Sequence, residues 1–106
     1  MIDAAAVGEI ITLYEVHGWK LRRALLSGDE RKSLEATLNS IDIVESDLSA
    51  LWFSRRSKPE SEAWELRRLA GSPFALVAVV PVDAEADEVE ATLAQVVEEM
   101  RAKSIA

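Results

Sequence analysis

The sequence predicts a mixed α/β (α+β) domain in which a small sheet of three to four strands packs with four helices. The first observation is a helical spacing of apolar residues at both ends of the chain, and the second is an alternation of strand-like and helix-like segments between them. The third is a continuous apolar run over residues 74–80, bracketed by prolines. The length of 106 residues suits one folding unit, so residues 1–106 are expected to form a single domain.

The first helix is expected between Asp3, a residue type that caps helix starts, and Gly18, a residue type that ends helices. Its apolar residues follow the helical spacing: Val7, Ile10, Ile11 and Tyr14. A wide apolar face on this helix indicates burial in the fold or against a partner subunit. Residues 19–26 then predict a strand, and residues 30–38 predict a short helix with Asp29 as its cap.

The middle of the chain is expected to form two strands. Residues 41–45 predict a short strand, and Ser46-Asp47 predicts a turn into a second strand over residues 48–54. Trp52 is predicted to be a core residue, because large apolar residues flank it on both sides in this strand.

Ser57 and Glu60 have the spacing of a capping box, so a third helix is expected to begin there and to end at Gly71. The apolar run over residues 74–80 predicts a strand that is covered on both faces. A final acidic helix is expected from Asp83 onward, with its acidic residues in the first turns as the helix dipole prefers.

Two arrangements of these elements remain open. The order β-α-β-β-α-β is that of a ferredoxin-like split β-α-β unit, here with one extra helix at each end of the chain. If residues 41–45 form a loop instead, a three-stranded parallel sheet with helices on both faces follows as the alternative. The turn-forming residues 45–47 favour the mixed sheet, which we prefer, and the apolar run over residues 74–80 favours the parallel one.

Composition excludes several classes of function. The chain has no cysteine and one histidine, His17, so thiolate chemistry is excluded, a zinc-type metal site is disfavoured, and we predict no cofactor. No apolar segment approaches the roughly 20 residues that span a bilayer, so a cytoplasmic protein without membrane contact is expected. The net charge of -7, with the excess acid near both chain ends, disfavours non-specific nucleic-acid binding.

The arginines form a pattern, because each tryptophan is followed three and four residues later by an arginine pair. If strands 19–26 and 48–54 are parallel neighbours, four arginines converge at the carboxyl ends of these strands: Arg22, Arg23, Arg55 and Arg56. Guanidinium groups favour phosphate or carboxylate, so an anion-binding site is predicted there. In the alternative interpretation these arginines pair with nearby acids: Glu45, Asp47, Glu60 and Glu62.

No catalytic residue is predicted. Asp47 and Glu60 lack the acid-x-base triplet on a following strand that a magnesium-dependent nuclease site needs, and a turn and a helix cap explain them. His17 lies at a helix end, where the dipole favours it, and no residue is spaced as its catalytic partner.

The expected function is therefore that of a small non-catalytic cytoplasmic domain that acts by protein association. We expect a homodimer, with an arginine-lined site for a phosphate- or carboxylate-bearing ligand. The alternative is a small enzyme or nucleic-acid-processing factor that acts on a phosphorylated substrate at Arg22, Arg55 and Arg56.

Overall fold

The sheet organises the fold, with helices packed on both of its faces. The computed structural model describes residues 3–38, 41–69 and 74–105, and these residues form three helices and one open sheet of five strands. The helices are α1 (Ala4–Val16), α2 (Gly28–Leu34) and α3 (Ala86–Ile105). The strands are β1 (Lys20–Leu26), β2 (Asp42–Glu45), β3 (Ala50–Lys58), β4 (Ser61–Arg68) and β5 (Ala75–Pro81). Within the described residues, no helix is both long enough and apolar enough to cross a membrane.

The strand order across the sheet is β2-β1-β3-β4-β5, which makes β2 and β5 the outer strands of the described sheet. β1 and β2 are parallel and are joined through α2, whereas β1 and β3, β3 and β4, and β4 and β5 are antiparallel. The preferred mixed sheet is confirmed. The three-stranded parallel alternative is wrong, because β3 runs antiparallel to β1 and the segment over residues 41–45 does contribute a strand, β2.

The helix expected to begin at Ser57 and Glu60 is wrong, because these residues belong to a β-hairpin. β3 ends at Lys58, which pairs with Ser61 across a Pro59-Glu60 turn, and β4 follows. Proline suits the second position of such a turn as well as the first turn of a helix, so the capping-box spacing was ambiguous. The described residues therefore carry five strands and three helices, whereas the expected β-α-β-β-α-β order with an extra helix at each end requires four of each, so the observed element order is a different one.

Two hydrophobic cores lie on opposite faces of the sheet. The α3 core contains Leu25, Leu48, Ala50, Trp52, Trp64, Leu66, Val80, Leu93, Val96 and Met100. The α1–α2 core contains Val7, Ala24, Leu26, Leu34, Leu38, Leu51 and Phe53. Trp52 is almost fully buried and packs edge-on against Trp64, so its predicted place in the core is confirmed. Because both faces are largely covered, polar and apolar residues do not alternate strictly along β3 and β4.

The helix boundaries follow the capping residues. The carboxylate of Asp3 accepts a hydrogen bond from the Ala5 N–H, and Gly18 has a φ of 87°, which confirms both predicted limits of the first helix. The cap of α2 is Ser27 rather than the expected Asp29, and Glu30 completes a capping box with it. The expected stop at Gly71 lies outside the described residues.

Ser49 connects the start of β3 to the start of α2. Its φ of 56° is in the left-handed region, and its hydroxyl donates to the Glu30 carboxylate at 2.6 Å. Burial alone would raise the pKa of Glu30, but hydrogen bonds from Ser49 and Ser27 outweigh it and leave the pKa lowered. The carboxylate of Glu30 therefore stabilises the β2 side of the sheet in its ionised form.

Candidate functional site

Within the described residues, helix covers the outer strand β5 on one face only. Leu76, Ala78 and Val80 pack with the α3 core. On the opposite face Val77 and Val79 are 56% and 59% exposed, so the predicted cover on both faces is wrong. Helix α1 reaches β3, where Tyr14 stacks on Phe53 with ring centroids 4.0 Å apart, but leaves these two valines open.

A hydrogen bond ties α1 to β4 beside this open face. The Tyr14 hydroxyl donates to the Glu65 carboxylate, and Glu65 lies directly opposite Val77 in the β4–β5 register. Burial and the Glu65 interaction raise the pKa of Tyr14 above its ordinary range, against the opposing influence of Arg67. Helix α1 therefore ends its cover of the sheet at β4, next to the exposed valines.

Further apolar side chains are exposed on α1. Leu13 is 58% exposed and Val16 is 74% exposed, although both belong to the wide apolar stripe of this helix. They border a shallow surface groove together with Ala5, Gly8, Glu9 and Thr12. The wide apolar stripe seen in the sequence is therefore only partly buried within the described fold.

The main-chain groups of β5 divide into two sets. The Arg68 N–H donates to the Phe74 carbonyl and the Val82 N–H donates to the Glu60 carbonyl, and the register between these two bonds runs without a shift. The even-numbered residues of β5 therefore direct their N–H and C=O groups at β4. Ala75, Val77 and Val79 direct both groups away from the described sheet, and Pro81 directs only a carbonyl, since proline has no N–H.

The other outer strand, β2, differs in length and charge. It has four residues, and Asp42 and Glu45 place a carboxylate at each of its ends. β5 has seven residues, none of which is charged. Short, charged outer strands resist pairing with other chains, whereas long, uncharged ones permit it. Among the described strands, β5 is therefore the outer strand that is suited to association.

The arginines expected to converge do not share one surface. Because β1 and β3 are antiparallel, the carboxyl-terminal ends of these two strands lie at opposite ends of the sheet, so the four arginines do not converge there as expected. A β-bulge between Leu21 and Arg23 instead places both Arg22 and Arg23 on the α3 face. Arg23 forms a bidentate ion pair with Glu90 of α3, at 2.9 and 3.1 Å, which lowers the pKa of the Glu90 carboxyl.

Arg22 lies where the α3 face is open to solvent. Its guanidinium stands 4.9 Å from the ring centroid of Trp64, donates to the Ser54 hydroxyl at 3.0 Å, and approaches Glu62 at 3.8 Å. Arg56 is opposite Glu62 in the β3–β4 register, and Lys20 is opposite Ser54 in the β1–β3 register. Lys20, Arg22 and Arg56 thus share one end of this face with the Glu62 carboxylate, and we call these three residues the basic corner.

Arg55 lies on the opposite face of the sheet. Its guanidinium donates to the His17 carbonyl at 2.9 Å and stands 4.8 Å from the ring centroid of Trp19. The structure therefore brings Arg22 and Arg56 to one corner, pairs Arg23 with α3, and separates Arg55 from the other three. Trp19 and Trp52 also lie on opposite faces of the sheet, since Trp19 packs against the α1–α2 core and Trp52 belongs to the α3 core.

An open groove of about 280 Å³ lies beside the predicted Arg23, between α3 and strands β1 and β2. Its floor includes Leu25, Val44 and Trp52. Two arginines at its rim are paired, Arg23 with Glu90 and Arg101 with both Glu98 and Asp47, and Glu45 also lines the groove. The groove thus has an apolar floor, and its arginines are already bound to carboxylates.

The remaining polar candidates have structural roles. Asp47 pairs with Arg101, and Glu60 lies in the β3–β4 turn. His17 caps the end of α1 through its main chain. Within the described part of the chain, no group of three or more acidic, histidine or cysteine side chains is arranged to hold a metal ion.

The sequence interpretation missed the open edge of β5 and the position of Lys20. The signal for the edge was present, since an apolar run of seven residues without a charge also suits a strand buried against another copy. Comparison of the chain with protein-family models, curated proteins and solved structures gives no significant match.

Proposed function

We propose that this protein acts by protein association and that its active form is a homodimer. The observation that supports this most strongly is the open face of β5, where Val77 and Val79 remain more than half exposed on a strand without charge. Exposed apolar groups of this kind are typical of association surfaces. Leu13 and Val16 add a second apolar exposure on α1.

A second copy is the favoured partner for two reasons. Homodimers with two-fold symmetry are the commonest oligomers, and they place the same patch of each copy at the interface. The chain carries a net charge of -7, so two copies repel at long range, but the uncharged strand β5 brings no like charges into direct contact.

Sedimentation velocity tests this proposal over a range from about 1 to about 100 μM, because mass action converts monomer into dimer across such a range. We expect the dimer fraction to rise with concentration. A Val77→Lys/Val79→Lys double variant is expected to remain monomeric. Val44→Lys on β2 is the matched control, because Val44 is also an exposed valine on an outer strand. A wild-type monomer at every concentration would contradict the proposal.

A second candidate function is anion binding at the basic corner. It is favoured by the geometry of Arg22, whose direct hydrogen bond goes to the neutral Ser54 rather than to Glu62. Lys20, Arg22 and Arg56 together exceed the charge of the single Glu62 carboxylate beside them. A phosphate- or carboxylate-bearing ligand suits this corner, and the alternative class of a small enzyme or nucleic-acid-processing factor would use Arg22 and Arg56 here without Arg55, which lies on the opposite face.

Thermal denaturation with inorganic phosphate tests the basic corner. A ligand bound only by the folded state raises the melting temperature by mass action. We expect Arg22→Gln/Arg56→Gln to abolish the rise and Arg55→Gln to preserve it, because Arg55 lies on the opposite face. An equal response in all three proteins would exclude this site.

A further inference from the structure

We propose that β5 pairs antiparallel with β5 of a second copy, about a two-fold axis at Val77, so that the two sheets join edge to edge. This inference rests on the proposed homodimer and adds the geometry of its interface. It is carried by the direction of the main-chain groups along β5, which is independent of the exposure of the side chains.

The outward N–H and C=O groups of β5 can be satisfied by an extended strand of a partner. Ala75, Val77 and Val79 each present an N–H and a C=O on the side away from β4. Another strand satisfies all of these groups at once through a regular ladder. An antiparallel pair of identical strands is self-complementary, since each copy supplies the same donors and acceptors to the other.

The register follows from Pro81. With Val77 opposite Val77, Ala75 lies opposite Val79, and every outward N–H and C=O of these three residues has a partner. A register centred on Ala78 would instead set Ala75 opposite Pro81, and the missing proline N–H would leave the Ala75 carbonyl unpaired. The Val77-centred register is therefore favoured.

The side chains in this register also match. On the open face Val77 meets Val77 and Val79 meets Ala75, so the exposed valines become cross-strand pairs of apolar residues. On the opposite face Leu76 meets Ala78, and both already pack against the α3 core. The pairing thus extends the α3 core of one copy toward that of the other.

Single-cysteine variants test this register directly, because the natural chain contains no cysteine. Opposite residues in a hydrogen-bonded antiparallel pair have Cα atoms about 5.5 Å apart, within the range of about 4.4–6.8 Å that a disulfide spans. We expect Val77→Cys to form a disulfide-linked dimer under mild oxidation. Val79→Cys, which faces Ala75 of the other copy, and Val44→Cys on β2 are expected to stay unlinked.

Sedimentation of the same variants under reducing conditions separates the two proposals. If the Val77→Cys and Val79→Cys variants sediment as dimers but cross-link equally well, or equally poorly, this register is wrong and the homodimer proposal still holds. Monomers at all concentrations would overturn both. Val77→Pro removes an outward N–H from each copy and is expected to weaken dimerisation by about 30-fold or more. An unchanged dimer in this variant would also overturn the strand pairing.

Discussion

The two outer strands of the sheet show how an edge is either protected or left available. β2 is four residues long, carries Asp42 and Glu45, and runs parallel to its single described neighbour. β5 is seven residues long, carries no charge, and continues a regular antiparallel ladder. Unpaired main-chain groups on an outer strand promote aggregation, and this applies equally to both strands. This difference in length and charge is the basis of the proposed pairing through β5.

The two ends of the sheet are also held by different interactions. On the β2 side, the Glu30 carboxylate receives hydrogen bonds from Ser49 and from the Ser27 main chain. On the β5 side, α1 is tied to β4 through Tyr14 and Glu65. One interaction needs an ionised carboxylate and the other a protonated phenol, so the two sides respond to opposite extremes of pH.

The largest expected effect comes from the residue at the centre, between the two edges. Trp52 is 1% exposed and packs against Trp64, so Trp52→Ala should lower the free energy of unfolding by about 3–5 kcal/mol. Denaturant unfolding at a single low protein concentration measures the loss. A loss in the free energy of unfolding below about 1 kcal/mol would show that Trp52 is not part of a core that supports both edges of the sheet.

Two neighbouring proline variants sharpen the comparison within β5. Ala78→Pro removes an N–H directed at β4 and should destabilise the monomer by about 2–3 kcal/mol. Val77→Pro removes an outward N–H and should cost the monomer less than about 1 kcal/mol. Urea unfolding below the dimerisation range measures both. Equal losses would mean that the assigned main-chain directions in β5 are wrong.

Tyr14→Phe tests the interaction on the β5 side. Loss of the hydrogen bond to Glu65 should cost about 1–2 kcal/mol at pH 7. Because the pKa of Tyr14 is raised on folding, its contribution is full below the ordinary value of about 10 and falls as pH rises above it. The difference between wild type and variant should therefore shrink from about pH 10 upward. Parallel stability curves in alkali would rule this account out.

Glu30→Gln tests the interaction on the β2 side, whose stabilising contribution is expected to depend on pH in the opposite direction to that of Tyr14. The lowered pKa of Glu30 means that its contribution is present above the ordinary value of about 4.3 and is lost as pH falls. Since the group is partly exposed, the cost at pH 7 should be below about 1 kcal/mol. Thermal unfolding between about pH 3 and about pH 6 should show a flatter acid dependence for the variant than for wild type. The same dependence in both proteins would refute the assignment.

Local signals predicted much of the fold. Asp3 and Gly18 limit α1 because capping and positive φ are properties of single residues. The short strand over residues 41–45 and the burial of Trp52 were also correct, since a turn and an apolar triplet are short-range patterns. Such features need no knowledge of which strands become neighbours.

The predicted helix that was to begin at residue 57 is wrong, because the helical propensity of the segment is overridden by tertiary contacts. Glu62, Glu65 and Arg67 favour a helix in isolation, yet in β4 they meet partners on neighbouring elements: Glu62 meets Arg22, and Glu65 meets Tyr14. Those partners are distant in sequence, so no local pattern records them. The strand is specified by tertiary contacts.

The expected arginine cluster required a strand direction that the sequence does not encode locally. The antiparallel pairing of β1 with β3 removes the shared end, and alternation along β3 sends Arg55 and Arg56 to opposite faces. The bulge at Arg22 shifts the β1–β3 register by one residue, and no sequence pattern predicted it. What remains of the prediction is the basic corner, which contains two of the four arginines.

Hydrogen exchange along β5 tests the edge-to-edge dimer most directly. The amides of Leu76, Ala78 and Val80 are bonded to β4 in the monomer, so they should exchange slowly at every concentration. The amides of Ala75, Val77 and Val79 should exchange slowly only when the dimer is populated, and should speed up by about tenfold or more on dilution. Fast exchange at Val77 and Val79 in a solution shown to be dimeric would contradict pairing through β5.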